Sequence, residues 1–413
     1  MKKVFFISIL IVIIIPSSLF AKERVSLGFL YGSSDSIELV KRTNGGINEV
    51  APMYLNLTKN GNLSISNLDE EFISEMKKMN IKVTPFLSNH WSRSKGRAAL
   101  KNREKLTLQL VECIIKYDLD GINVDIENLT QKDRENFSEF VKLLKERMPK
   151  GKSLTVSVAA NPYGNTTGWQ GSYDYGTIGE YADYIFLMSY DEHSTGGSCG
   201  PVASAKFVEE SIQYALRYID KNKIVMGIPL YGRYWKEGED YGGDAVVIGD
   251  VPRILNKLKG KSVYDEEYQT AKANFYVSGN SKIKVNGEVL EEGNYTVWYE
   301  NEQSIRYKLY LVNKYNLEGA GVWALGQEKV DVWEYYKEAL NEAFKEEPET
   351  FLYEGFEDIA YTCEKLNVDI GLEKPLTLFK QTYIDSAKMA VTILMTQPPK
   401  KKKYGGKQEK CKD

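Results

Sequence analysis

Asp120-Gly121-Ile122-Asn123-Val124-Asp125-Ile126-Glu127 alternates apolar and polar side chains, and its reading decides the fold. Successive side chains of a β-strand point to opposite faces. Ile122, Val124 and Ile126 therefore share one face, and Asn123, Asp125 and Glu127 the other. On a parallel barrel strand the apolar face packs under the helices, so the polar row points into the barrel. An amphipathic strand with a wet polar face is the plain alternative. A calcium loop is disfavoured by the apolar interleaving and by the missing turn glycine.

Working outward, eight short β-rich runs recur at 25–31, 49–57, 82–88, 121–127, 154–160, 184–190, 223–230 and 319–325. Most of the gaps carry helical periodicity. Phe72, Met76 and Met79 mark a helix over 69–79, and Leu106, Leu110, Cys113 and Ile114 a longer one over 97–118. Phe137, Phe140, Val141 and Leu144 mark a third over 133–148, with a fourth over 207–220. Strands alternating with helices imply parallel pairing. Eight such units predict an α/β fold of the closed (β/α)8 TIM-barrel type, with an open doubly wound sheet as the alternative. No glycine-rich phosphate fingerprint follows the first strand. The gap after the seventh strand is too long for one helix. Its strand-like pieces and the hairpin signal Asn286-Gly287 predict a small inserted α+β subdomain over about 233–298.

The ends carry their own signals. Lys2 and Lys3, an apolar run over 4–15, then Pro16-Ser17-Ser18 and Ala21 have the order of a secretory signal peptide over 1–21. The run is short for a membrane span, so no stable span is expected after cleavage. The barrel domain is expected over 22–345. Residues 346–413 read as a C-terminal extension, helical near 383–395, ending in a basic, disordered run at Lys400–Lys403; a basic anchor for an anionic wall polymer is the other reading of that run. The net charge of −3 gives no drive toward nucleic acid. The 4 cysteines are far apart; a secreted location permits disulfides, but their spacings predict no particular pairing, and 2 histidines give little support to a metal site. No cofactor and no metal are expected, and the chain is expected to be a monomer.

Carboxylates inside a barrel are costly. Burial and like-charge proximity both disfavour ionisation, so one acid should hold a proton near neutral pH. Asp125 and Glu127 lie about 6–7 Å apart along the strand, from a rise of about 3.3 Å per residue. Glu127 ends the strand, where barrel enzymes place catalysis. A proton-bearing Glu beside a second carboxylate suits the acid of a glycosidase.

The stretch closely resembles the Asp-Gly-x-Asp-x-Asp-x-Glu signature of glycoside hydrolase family 18. Met188-Ser189-Tyr190-Asp191 resembles that family's sixth-strand motif, and Gly227-Ile228-Pro229-Leu230-Tyr231-Gly232-Arg233 its seventh. Gly321-Val322-Trp323-Ala324-Leu325-Gly326 resembles its eighth, and the likeness covers about 24–345. Asn123 in place of the middle Asp, Asp191-Glu192-His193, Gly196-Gly197 and Gly200-Pro201-Val202-Ala203 look most like the bacterial branch acting on spore-cortex or cell-wall peptidoglycan. The LysM wall-binding repeats frequent in that branch are not found here. Pro85-Phe86-Leu87-Ser88-Asn89 departs from the Ser-x-Gly-Gly of chitinases.

The resemblance implies substrate-assisted, retaining cleavage of β-1,4 bonds after N-acetylglucosamine, with the substrate's acetamido oxygen as nucleophile. Glu127 would be acid and then base. Asp125 would orient the acetamido nitrogen, and Tyr190 would hydrogen-bond its carbonyl. Trp323 and Met188 would floor the subsite, and Asp191 would contact the distorted sugar. Tyr231 and the loop residue Glu300 are further candidates for substrate binding, and Trp91 and Trp235 for lining the cleft. Asn123 joins the catalytic group as a neutral hydrogen-bond partner of Asp125 that leaves Asp125 more readily ionised. The expected partner is peptidoglycan or chitin, and the expected location is secreted, or associated with the wall or spore. A chitinase, or a sugar-binding lectin of the same fold, are the competing functions; lectins of this family usually lack the Glu that stands here at 127.

Overall fold

A computed structural model describes residues 23–32, 35–239 and 241–342. The eight runs become β1 (Val25–Leu30), β2 (Glu49–Pro52, resumed at Leu55–Leu57), β3 (Lys82–Val83, resumed at Phe86–Ser88) and β4 (Gly121–Asp125), then β5 (Ser153–Ala159), β6 (Tyr184–Met188), β7 (Ile224–Pro229) and β8 (Gly319–Trp323). Each pairs in parallel with its sequence neighbour. β8 returns to β1 from Val25↔Gly319 to Gly28↔Val322, so the sheet closes into the expected TIM-type barrel. The break in β3 falls at Thr84-Pro85, where proline has no N–H to give the ladder.

Side-chain alternation separates two apolar layers. Ile122, Val124 and Ile126 pack outward with Leu110, Ile114, Phe137, Phe140, Val141 and Leu144 of the covering helices. Leu27, Phe29, Ala51, Phe86, Phe186, Met188 and Val225 fill the lumen. The inward rows of the adjacent β4 and β5 are instead polar, and Asn123 bonds Thr155 and Ser157 between them. The inward Glu49, low in the barrel, accepts hydrogen bonds from Thr84 Oγ1 at 2.7 Å and Tyr184 OH at 2.8 Å.

Helices Glu70–Lys78, Arg134–Arg147 and Ala205–Ala215 occupy expected gaps. Asp69 and Ser204 cap the first and last, accepting from Phe72 N and Phe207 N. The single helix expected over 97–118 is two, Arg93–Lys101 and Arg103–Lys116. Asn102 interrupts it because its amide turns aside to Gly61 O at 3.1 Å and Asn62 Oδ1 at 3.2 Å.

After β7 a five-stranded antiparallel sheet spans Tyr231–Lys236 to Gly293–Tyr299, with the helix Val251–Leu258 against it. The first strand of this sheet begins at Tyr231, two residues after the last residue of β7. Asn286 and Gly287 both have positive φ, 49° and 91°, as a two-residue hairpin of the expected kind needs. No helix among the described residues is long and apolar enough to cross a membrane. The proposed signal peptide, the C-terminal extension, Cys363 and Cys411 lie outside the described residues; Cys113 is buried and Cys199 exposed.

Candidate active site

The C-terminal ends of the strands open into a cleft of about 730 Å³. Asp125, Glu127, Met188, Tyr190, Asp191, Tyr231 and Trp323 all line it, together with Trp91, Trp169 and Tyr163. Six strand ends or their following loops are thereby brought to one place, which no single stretch of sequence could reveal.

Trp323 lies across the top of the lumen. Its ring centroid is 5.3 Å from Phe29, 5.8 Å from Tyr31 and 5.9 Å from Phe86. Below it Phe29 packs on Phe186 at 4.7 Å. This aromatic plug closes the cleft floor.

Asp125 is buried, and burial raises its carboxyl to about 7. Burial, then the neighbouring Asp125 and Asp191, push the Glu127 carboxyl well above the usual range. The two form one coupled acid that retains a proton near neutral pH. Tyr190 is held as the neutral phenol by burial and by Asp125, Glu127 and Asp191. A cleft holding a shared carboxyl proton and a neutral phenol can donate to an oxygen and later accept a proton back.

Asp191 has a positive φ of 61°. Its Oδ1 accepts from Tyr231 OH at 2.6 Å and from Arg233 Nε and Nη2 at 2.9 and 2.7 Å. Tyr231 thus commits its hydroxyl to Asp191, while its ring lies 6.2 Å from that of Tyr190. Arg233 also donates from Nη1 to Thr195 Oγ1 and Gly243 O, both at 2.7 Å. The β6 loop is further stitched to the inserted unit by Gly196 N to Gly242 O at 2.8 Å and Trp235 Nε1 to Gly197 O at 2.9 Å.

Three expectations are corrected. Asn123 does not serve Asp125: its Nδ2 donates to Thr155 Oγ1 at 2.9 Å and its Oδ1 accepts from Ser157 Oγ at 2.8 Å. The raised carboxyl of Asp125 comes from its desolvation. Glu300 does not reach the cleft. It is fully buried and pairs with the equally buried Lys308 Nζ at 2.7 Å. Trp235 is likewise buried, its indole spent on Gly197 O.

Other residues of the site escaped the sequence reading. Asn89 grips the main chain of Glu127 from β3. Trp169 donates from Nε1 to Tyr173 OH at 3.0 Å, and Tyr173 OH donates to Ile126 O at 3.3 Å, bracing the end of β4. Trp169 also packs edge-on against Trp91, ring centroids 4.9 Å apart, to build one wall of the cleft. The only sequence signal for Asn89 was the departure of 85–89 from the chitinase pattern.

Comparison with known proteins gives the same architecture. An uncharacterised glycosylase of Bacillus subtilis, YvbX, is 27% identical over 349 residues, covering 81% of this chain and 98% of that protein. The cortical fragment-lytic enzyme of Bacillus subtilis is 29% identical over 268 residues, 63% of this chain and 59% of that protein, so this chain spans little more than half of it. Among solved structures, a chitinase from Chromobacterium violaceum superposes with a TM-score of 0.69 at 28% identity, over 77% of this chain and 99% of that one. The spore cortex-lytic enzyme SleL of Bacillus cereus shares the fold with a TM-score of 0.68 at 21% identity, over 78% and 75%. The model of the glycosyl hydrolases family 18 matches residues 30–328, which take in every barrel motif from β2 to β8, and the chain belongs to that family as a glycosidase.

Proposed function

We propose that this chain is a secreted hydrolase that cuts β-1,4 linkages after N-acetylglucosamine in the peptidoglycan of spore cortex or cell wall. The glycan lies along the cleft with one N-acetylglucosamine ring over Trp323 and Met188. Glu127 protonates the glycosidic oxygen as the acetamido oxygen of that same sugar attacks the anomeric carbon. The glycosidic bond breaks and an oxazolinium ring forms. Asp125 holds the acetamido N–H and balances the ring's positive charge, while the phenol of Tyr190 donates to the acetamido oxygen. Glu127, now ionised, takes a proton from water. The water oxygen opens the oxazolinium at the anomeric carbon with net retention.

The observation that carries this reading is the pairing of Asp125 and Glu127 above a closed aromatic floor, with Asp191 already held by Arg233 and Tyr231. Membership of family 18 is what points to the substrate's own amide as the nucleophile. Peptidoglycan, and with it a place in the spore or wall, is favoured by the likeness to the cortical fragment-lytic enzyme. The likeness to a chitinase over nearly all of its length favours chitin as the second reading. Saccharide release from purified cortex or wall, set against release from colloidal chitin, separates the two. Glu127→Gln should keep binding and lose cleavage; normal cleavage by that variant would overturn the mechanism.

A further inference from the structure

β3 and β4 pair through Phe86↔Asn123, Leu87↔Val124 and Ser88↔Asp125. Continued in this register the ladder would reach Glu127 two pairs later, but the β3 chain has by then turned away. His90 and Trp91 adopt positive φ of 49° and 58°. At this rung the side chain of Asn89 replaces the missing backbone. Its Oδ1 accepts from Glu127 N at 3.0 Å, and its Nδ2 donates to Glu127 O at 2.8 Å. A carboxamide carries the same donor and acceptor as a peptide unit, which no carboxylate or hydroxyl does in fixed geometry. Asn89 is fully buried, and its Nδ2 also donates to Ser92 O at 3.1 Å, which fixes the orientation of the amide.

The clamp extends one residue further. Asn128, φ 57°, turns the chain sharply after Glu127. Arg93 donates from Nε to Asn128 O at 2.7 Å and from Nη2 to Asn128 Oδ1 at 2.8 Å, and Asn128 Nδ2 donates to Trp91 O at 2.7 Å. The carboxyl of Glu127 itself has no hydrogen-bond partner among the described residues. Its aim is therefore set by its main chain, and that main chain is held by 89–93.

We propose that Asn89 is a positioning residue for Glu127: its carboxamide completes the β3–β4 ladder beyond Ser88 and fixes the direction from which the acid reaches the glycosidic oxygen. This rests on the reading of Glu127 as the acid.

The test uses the full chain and two substrates. In purified peptidoglycan the sugar leaving group needs a proton; in a dinitrophenyl glycoside of N-acetylglucosamine the leaving group departs without one. Asn89→Ala should lower kcat on peptidoglycan about 30-fold and on the dinitrophenyl glycoside by less than about 3-fold, since a misplaced acid costs about that much. Should the alanine variant fold poorly, Asn89→Asp keeps the shape and the acceptor for Glu127 N. Its added charge should move the basic limb of the rate profile to higher pH. A parent enzyme that cuts neither substrate, or a Glu127→Gln variant that cuts peptidoglycan normally, overturns the reading of Glu127 and this proposal with it. With Glu127 established, equal losses on the two substrates, or an aspartate variant with the parent's rate and pH profile, overturn the role of Asn89 alone.

Discussion

Two nitrogens of Arg233 close on one oxygen of Asp191, Nε at 2.9 Å and Nη2 at 2.7 Å from Oδ1. The guanidinium is nearly buried and the carboxylate more than one third exposed, so Asp191 faces the cleft while its charge is compensated from behind. Arg233→Gln removes that compensation. Glu127 then feels more of the Asp191 charge and holds its proton to higher pH. The expected outcome is a kcat about 10-fold lower with the basic limb of kcat/KM displaced upward, read from a pH–rate profile. A limb that does not move would show that Asp191 is not coupled to Glu127.

Asp125 carries a stability cost with a defined pH window. Its carboxyl titrates near 4 in the unfolded chain and at about 7 in the folded protein. Between those values the folded protein keeps a proton that the unfolded chain has released, so stability falls as pH rises through the window and stays low above it. The effect is on the order of 2–4 kcal/mol. Asp125→Asn should therefore melt above the parent at pH 8 and level with it at pH 4. Thermal melts at the two pH values check this, and a constant difference would refute it.

Asn123→Asp places a second carboxyl two residues before Asp125 on the same inward row. Thr155 Oγ1 now accepts from the Asn123 amide, so it would have to reverse and donate. The added charge raises Asp125 above its value of about 7. The pH–rate profile should shift to higher pH, and an unchanged profile would refute the electrostatic link between these positions.

Lys308→Met strands the Glu300 carboxylate in the core, and loss of one partner of a buried pair costs about 3–5 kcal/mol. The double change Glu300→Gln with Lys308→Met should recover most of it. Kinetic constants of the folded double variant should stay within about 2-fold of the parent, because the pair lies outside the cleft. A large rise in KM would restore Glu300 as a substrate residue.

The barrel was legible because its signals are periodic. Ile122, Val124 and Ile126 declare an outer face by spacing alone, and the helices repeat theirs every three or four residues. The cleft was legible where a residue ends a strand, as Trp323 does, or follows it by two positions, as Glu127 and Tyr190 do. It was illegible where a role depends on a turn. Asn89 reaches Glu127 only because two left-handed residues swing the chain away after it. Glu300 misled because a charged residue beside an insertion looks exposed, whereas its partner Lys308 is placed two turns along a helix that Asn301 begins. Asn123 misled because strand spacing gives the face a side chain points to, but not which neighbouring strand it bonds; β5 supplied Thr155 and Ser157.

The stitching of the β6 loop to the inserted unit bears on modularity. Subdomains that interrupt a barrel between two strands are natural targets for excision or for grafting onto related scaffolds. Here Tyr231 and Arg233, which hold Asp191, belong to the first strand of that unit, and Gly242 and Gly243 secure the loop that carries it. The insertion is thus an organ of the site rather than a passenger. A minimal barrel cut free of it would keep its acid and lose the frame around Asp191.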